Sequence, residues 1–223
     1  MRSITTSRGR VRAGHAWAAV VASSLLALSG CGAVHTVEPV GKVPVAVDPL
    51  EWNGYWASFE NVTKCGETTR EVETGCLIVT VVDSTQGVLA IVPEGKAVEP
   101  ARAYIREADR PRAVFITLED WDSADPVRPL ILLRGVIESN GKSGVRLVVW
   151  QPLEGRFDQL VRDGILPFGG PPAGPPDGPT IGPLDAAELE LLARTMKWEL
   201  FDWEDPDIYV RVAPLAHSAL PSR

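Results

Sequence analysis

Leu130-Ile-Leu-Leu-Arg-Gly-Val-Ile-Glu-Ser-Asn140-Gly141-Lys-Ser-Gly-Val145-Arg-Leu-Val-Val-Trp150 decides how the chain is read. Two β-branched runs flank Asn140-Gly141. That dipeptide accepts the positive φ angles of a tight hairpin turn, so the stretch predicts two antiparallel strands. Gly141-Lys142-Ser143 looks like the end of a phosphate-binding loop. The glycine that loop needs five residues earlier is replaced by Val136, and strand follows rather than helix, so the hairpin reading stands.

The same pattern extends towards the N-terminus. Tyr55, Ala57 and Phe59 alternate with Trp56, Ser58 and Glu60. Cys76–Asp83 and Gly87–Val92 are separated by the turn residues Ser84-Thr85-Gln86. Arg102–Arg106 and Ala113–Leu118 flank a turn at Asp109-Arg-Pro111. Together these predict seven short strands over residues 51–150. The fold class is therefore mainly β, an antiparallel barrel or sandwich of about eight strands.

The C-terminal third changes character. Leu153–Leu166 predicts a short helix with Phe157, Leu160, Val161 and Ile165 on one side. Residues 167–183 hold 12 Gly or Pro in 17 and are expected to form an irregular loop. Asp185 and Glu188 make a capping box for a second helix over 186–198, with Leu189, Leu192 and Met196 inward. An acidic turn from Asp202 to Asp207 leads to a last strand, Ile208–Val212. Residues 51–212 are expected to be one domain, and 213–223 a disordered tail.

The N-terminus supplies an address. Arg2, Arg8, Arg10 and Arg12 precede an apolar run from Ala13 to Leu28, and Ser29, Gly30 and Cys31 close it. This is signal-peptide anatomy, so residues 1–30 are expected to be removed. Leu28-Ser29-Gly30-Cys31 resembles the lipobox of bacterial lipoproteins. The resemblance implies a diacylglyceryl group on Cys31, cleavage before it, and attachment to the membrane. Gly32 stands where an aspartate tends to retain such proteins in the inner membrane, so the resemblance implies the outer membrane, facing the periplasm. Residues 31–50, rich in Val, Pro and Gly, are expected to be a flexible tether.

Charge narrows the partners. Four of the 22 basic residues and none of the 29 acidic ones lie in the first thirty positions, so the chain from Cys31 carries a formal charge of −11. A polyanion repels phosphate backbones, which argues against nucleic acid. Assigning Cys31 to lipid leaves Cys65 and Cys76, an even pair expected to form a disulfide in an oxidising compartment.

Catalytic chemistry finds little material. His15 lies in the signal, His35 in the tether and His217 in the tail, so no histidine falls within 51–212. Serine, cysteine and histidine–zinc mechanisms therefore lack their usual base or ligand, and we expect no enzyme, metal or cofactor. Glu119, Asp120, Asp122 and Asp125, and Asp202, Glu204, Asp205 and Asp207, read as solvated turns. Calcium is the competing reading.

Six tryptophans fall within 51–212, and Trp56, Trp121 and Trp150 are the candidates for core packing or for an aromatic-lined ligand cavity. Gly54-Tyr55-Trp56, at the start of the first strand, resembles the Gly-x-Trp of lipocalins. These are eight-stranded barrels that carry small apolar ligands. The resemblance implies that Arg211, on the last strand, packs over Trp56. The helix here precedes the eighth strand, where lipocalins place it after. Two functions remain open: binding of a small apolar or amphiphilic ligand, or a structural or assembly role with another envelope protein.

Overall fold

A computed structural model describes residues 33–41, 43–59, 62, 65, 76–94, 98–108, 112–120, 129–139, 145–170, 178–194 and 200–215. Cys31, Trp121, Asn140-Gly141, Met196 and most of the expected tail lie outside them.

All seven strands expected between residues 51 and 150 are present: β2 (Gly54–Ser58), β3 (Cys76–Asp83), β4 (Val88–Pro93), β5 (Ala101–Glu107), β6 (Ala113–Glu119), β7 (Leu130–Ser139) and β8 (Val145–Trp150). Each pairs antiparallel with the next. The last long strand, β10 (Asp207–Pro214), lies between β8 and β2 and closes the ring. The result is an eight-stranded antiparallel barrel, and the sandwich alternative falls away. Alternation puts Trp56, Leu77, Val79, Leu89, Ile116, Leu133 and Tyr209 inside, in one core cluster.

Among the described residues three short helices accompany the barrel. α1 (Pro49–Trp52) precedes β2 and went unanticipated, because one turn carries no periodic signal. α2 (Glu154–Arg162) and α3 (Ala186–Ala193) stand where helices were expected, though α2 stops at Arg162 rather than Leu166 and leaves Ile165 exposed beyond it, and the Asp185–Glu188 capping box is formed on both sides. They lie in the long insertion between β8 and β10.

That insertion builds a second core outside the barrel. Phe157, Leu166, Ile181, Leu192, Leu200 and Phe201 pack with Phe115 of β6 and Leu132 of β7. β6 and β7 are therefore covered on both faces near Phe115 and Leu132. This accounts for the unbroken apolar runs Ala113–Ile116 and Leu130–Leu133, where alternation would mark a wall with one face in water.

Two expectations need correction. Residues 33–48 are not a free tether: His35–Thr36 form β1, antiparallel to β7, and Val34, Val40 and Val47 are buried. Composition alone misleads here, since an extended Pro- and Gly-rich segment can still bury its valines and pair its amides. The 167–183 loop is likewise not wholly irregular. Thr180–Ile181 form β9, parallel to β1, and Phe168 bridges Ile181. Both strands have only two residues and are held by their partners rather than by propensity.

Candidate functional site

The barrel has two unlike ends. Short links 84–87, 108–112 and 140–144 lie at one. The long connections 59–75, 94–100, 120–129 and 151–206 lie at the other.

Tryptophan seals the short-link end. Asp48 accepts from the Leu50 amide at 2.8 Å and Pro49 opens α1, so a single turn holds Trp52 beneath the barrel. Trp56 Nε1 donates to the Trp52 carbonyl at 2.9 Å, and the two rings stand 5.3 Å apart. Val45 and Val47 donate to Ile105 and Ser84, which lace the same segment across the strand ends. Arg211 stands opposite Trp56 in the ladder and donates through Nε to the Asn53 carbonyl at 2.9 Å. Asn53 Oδ1 in turn accepts from the Val81 amide at 2.7 Å. Gly54 is required beneath this clamp: a Cβ there would meet the Ala213 carbonyl at 2.3 Å and Arg211 Nε at 2.7 Å.

Above the tryptophans lies a cavity of ≈ 70 Å³, lined mainly by Leu, Ile, Val and Trp, including Leu77, Leu118, Leu133 and Val149. Two polar residues join that lining, Asp207 and Tyr209, both from the start of β10. Gln151 Nε2 donates to Asp207 Oδ2 at 3.3 Å. Burial, then the neighbouring Asp207 charge, pushes the Tyr209 phenol well above its ordinary range, so it stays protonated and available as a donor. The long-connection end is fastened by the Cys65–Cys76 disulfide, whose Cα atoms are 5.7 Å apart. The expected pairing of these two cysteines is present.

No family description, curated protein or solved structure matches this chain.

The candidate tryptophans separate. Trp56 lines the cavity. Trp150 does not: it packs at a tilt against Trp203, with a centroid distance of 5.1 Å, and belongs with the second core outside the barrel. Trp52, not singled out from the sequence, takes its place, and its position four residues before Trp56 was the available signal. Asp207 was read as part of a solvated turn, but it opens β10 and lines the cavity.

Histidine also moves. His35 is buried against the wall, with Nε2 3.7 Å from Asp120 Oδ2. The domain therefore holds a histidine that chain position had assigned to a tether. Neither ring nitrogen hydrogen-bonds among the described residues. Glu119 of the first acidic cluster accepts from the Arg102 amide at 2.9 Å. Among the described residues no group of three or more His, Cys, Asp or Glu is placed to hold a metal ion, and no helix is long and apolar enough to cross a membrane.

Proposed function

We propose that this is a lipid-anchored protein of the bacterial envelope whose barrel binds a small apolar or amphiphilic molecule. The observation that carries the reading is the apolar cavity, sealed below by Trp52 and Trp56 and bordered by Asp207 and Tyr209. Pockets of this kind pair a broad apolar lining with a few polar groups that orient the ligand. The volume sets the scale. An empty apolar cavity of about 150 Å³ takes up benzene, and ≈ 70 Å³ is about half of that. A whole phospholipid does not fit. A compact apolar group or a short stretch of alkyl chain does. The reading is of binding rather than catalysis, because the rest of the lining is apolar. The anchor rests on the lipobox at Leu28–Cys31 and on the acidic charge, which leaves lipid rather than a basic patch to hold the protein at the membrane.

A second reading, as an assembly lipoprotein, draws on an outer groove of ≈ 450 Å³ between α3 and the N-terminal segment, lined by Val43, Phe115 and Leu189 among others.

Titration of the purified chain with short brominated fatty acids tests the binding reading, since Trp52 and Trp56 report from the cavity wall. Saturable quenching that shrinks in Trp56→Phe and is lost in the Trp52→Phe/Trp56→Phe double variant supports it. Unchanged fluorescence up to the solubility limit, with no small molecule in native mass spectra, overturns it. The anchor is tested separately by detergent phase partitioning with intact mass. Cys31→Ser is expected to stay in the aqueous phase or remain unprocessed, and a wild-type chain without acyl mass overturns the anchor.

A further inference from the structure

The N-terminal segment that was expected to be a free spacer is fixed to the barrel wall. Leu132 donates to the Val34 carbonyl at 2.8 Å, His35 to Pro179 at 3.0 Å and Val37 to Ile181 at 3.2 Å. Ala33 packs against the barrel core. Cys31 therefore stands two residues from a fixed point, and two extended residues reach at most about 7 Å. Lipid attached there leaves the domain no room to stand off.

The surface beside that point is the outer edge of the sheet extension formed by β1 and β9, where residues 167–169 pair with β9. Phe168 bridges Ile181, and Gly169 donates to the Thr180 carbonyl at 2.8 Å. Val37, whose amide donates to the Ile181 carbonyl, and Phe168, which bridges Ile181, are 49 % and 67 % exposed, and Ile165, three residues before Phe168, is 46 % exposed. Single exposed apolar residues are ordinary, but here two adjoin one two-residue strand and the third stands close to Phe168 in the chain.

We propose that this edge, with Phe168 at its centre, is the face that lies on the lipid bilayer beside the anchor. The inference rests on the lipid-anchor reading of Cys31. The occupant follows from chain length: whatever membrane holds Cys31 lies within a few ångströms of this edge. Attraction by anionic headgroups is not available to a chain of charge −11, so the contact is apolar. A diacylglyceryl group already carries the two chains that stable anchoring takes, so this contact orients the domain on the bilayer, and it becomes a needed second signal only when a single acyl chain is attached.

The test uses the chain from Cys31 to Arg223, with the Cys65–Cys76 disulfide oxidised and one myristoyl chain coupled to the Cys31 thiol through a maleimide. Partitioning onto phosphatidylcholine vesicles is read by flotation. Phe168→Asp is expected to weaken it about tenfold, the loss of most of one buried aromatic side chain, and Ile165→Asp to act in the same direction. Leu50→Asp removes a more exposed apolar residue, at 80 %, from the other end of the barrel, and is expected to change partitioning less than about twofold. Slowed amide exchange on vesicles is expected in 163–169 and 178–182 of the unsubstituted chain, with no change in 46–53. This readout stands even if a variant misfolds. Equal partitioning of Phe168→Asp and the parent, an equal loss in Leu50→Asp, or unprotected 163–169 amides each overturn the proposal. Because the coupled chain is synthetic, these outcomes decide the face. The intact mass of membrane-extracted protein decides the native anchor independently.

Discussion

Replacing Trp56 by alanine tests the barrel floor most directly. The indole is buried, stands 5.3 Å from Trp52 and donates to the Trp52 carbonyl at 2.9 Å. Removing a buried tryptophan side chain costs about 3–5 kcal/mol when the surroundings collapse only partly. Here collapse is hindered, because the indole borders a cavity that is already ≈ 70 Å³ and the closed wall fixes the neighbours. The lost hydrogen bond adds about 1 kcal/mol and the lost ring pair about 0.5–1.5 kcal/mol, so the expectation lies in the upper half of that range. For a domain of this size each kcal/mol lowers Tm by roughly 2–4 °C, which predicts a fall of about 10–20 °C. Urea and thermal unfolding of the unlipidated chain measure it. The enlarged, dry cavity is also expected to take up benzene, which returns about 2.7 kcal/mol at a hundredfold excess over Kd. A loss below about 1 kcal/mol, with no response to benzene, would refute the placement of Trp56 inside the barrel.

Gly54→Ala is expected to destabilise by about 1–3 kcal/mol, because the new methyl meets the Ala213 carbonyl and displaces the Arg211 clamp; urea midpoints of the variant and of Arg211→Ala check this. Reducing Cys65–Cys76 is expected to cost roughly 3 kcal/mol for so short a loop, read as a lower Tm in reductant, while the Cys65→Ser/Cys76→Ser double variant shows no reductant effect. Tyr209 carries a raised phenol pKa, so its contribution is fully present below about pH 10, where unfolded tyrosine ionises, and is lost as pH climbs above that. The parent should therefore lose stability between pH 9 and 11 faster than Tyr209→Phe, and parallel pH profiles would count against the buried phenol.

Much of the barrel was legible because period-two alternation and turn residues are local signals. Asp83 shows this: its carboxylate accepts from the Thr85 and Gln86 amides, which builds the turn that its position between two β-branched runs suggests, and those bonds hold the carboxyl below the usual range. The Asp185 capping box is similarly local. Less legible were features defined by distant partners. β1 and β9 exist only because β7 leaves β8 beyond Arg134 and needs another neighbour there. No window of sequence around His35 contains that fact. The insertion over β6 and β7 left a trace, the unbroken apolar run Ala113–Ile116, but a buried strand and a doubly buried strand differ only in what covers them. Within the site, Trp56 was legible from Gly54-Tyr55-Trp56. Asp207 was not, because an acidic turn and the first residue of a barrel strand look alike until their neighbours are known.

The closing of the barrel by β10 has a consequence for how the chain acquires its shape. β2 and β10 lie at opposite ends of the domain in sequence, yet Trp56 and Arg211 are ladder partners. If the chain is threaded across a membrane from its N-terminus, the edges of β2 and β8 stay unsatisfied until residues 207–214 emerge. Such non-local pairing is slow, because the loop entropy is spent before the contacts form. Open edges with β-branched faces are templates for intermolecular pairing during that wait. Wherever the chain folds, the last strand sets a clock: any delay in its arrival lengthens the time for which the nascent barrel can aggregate.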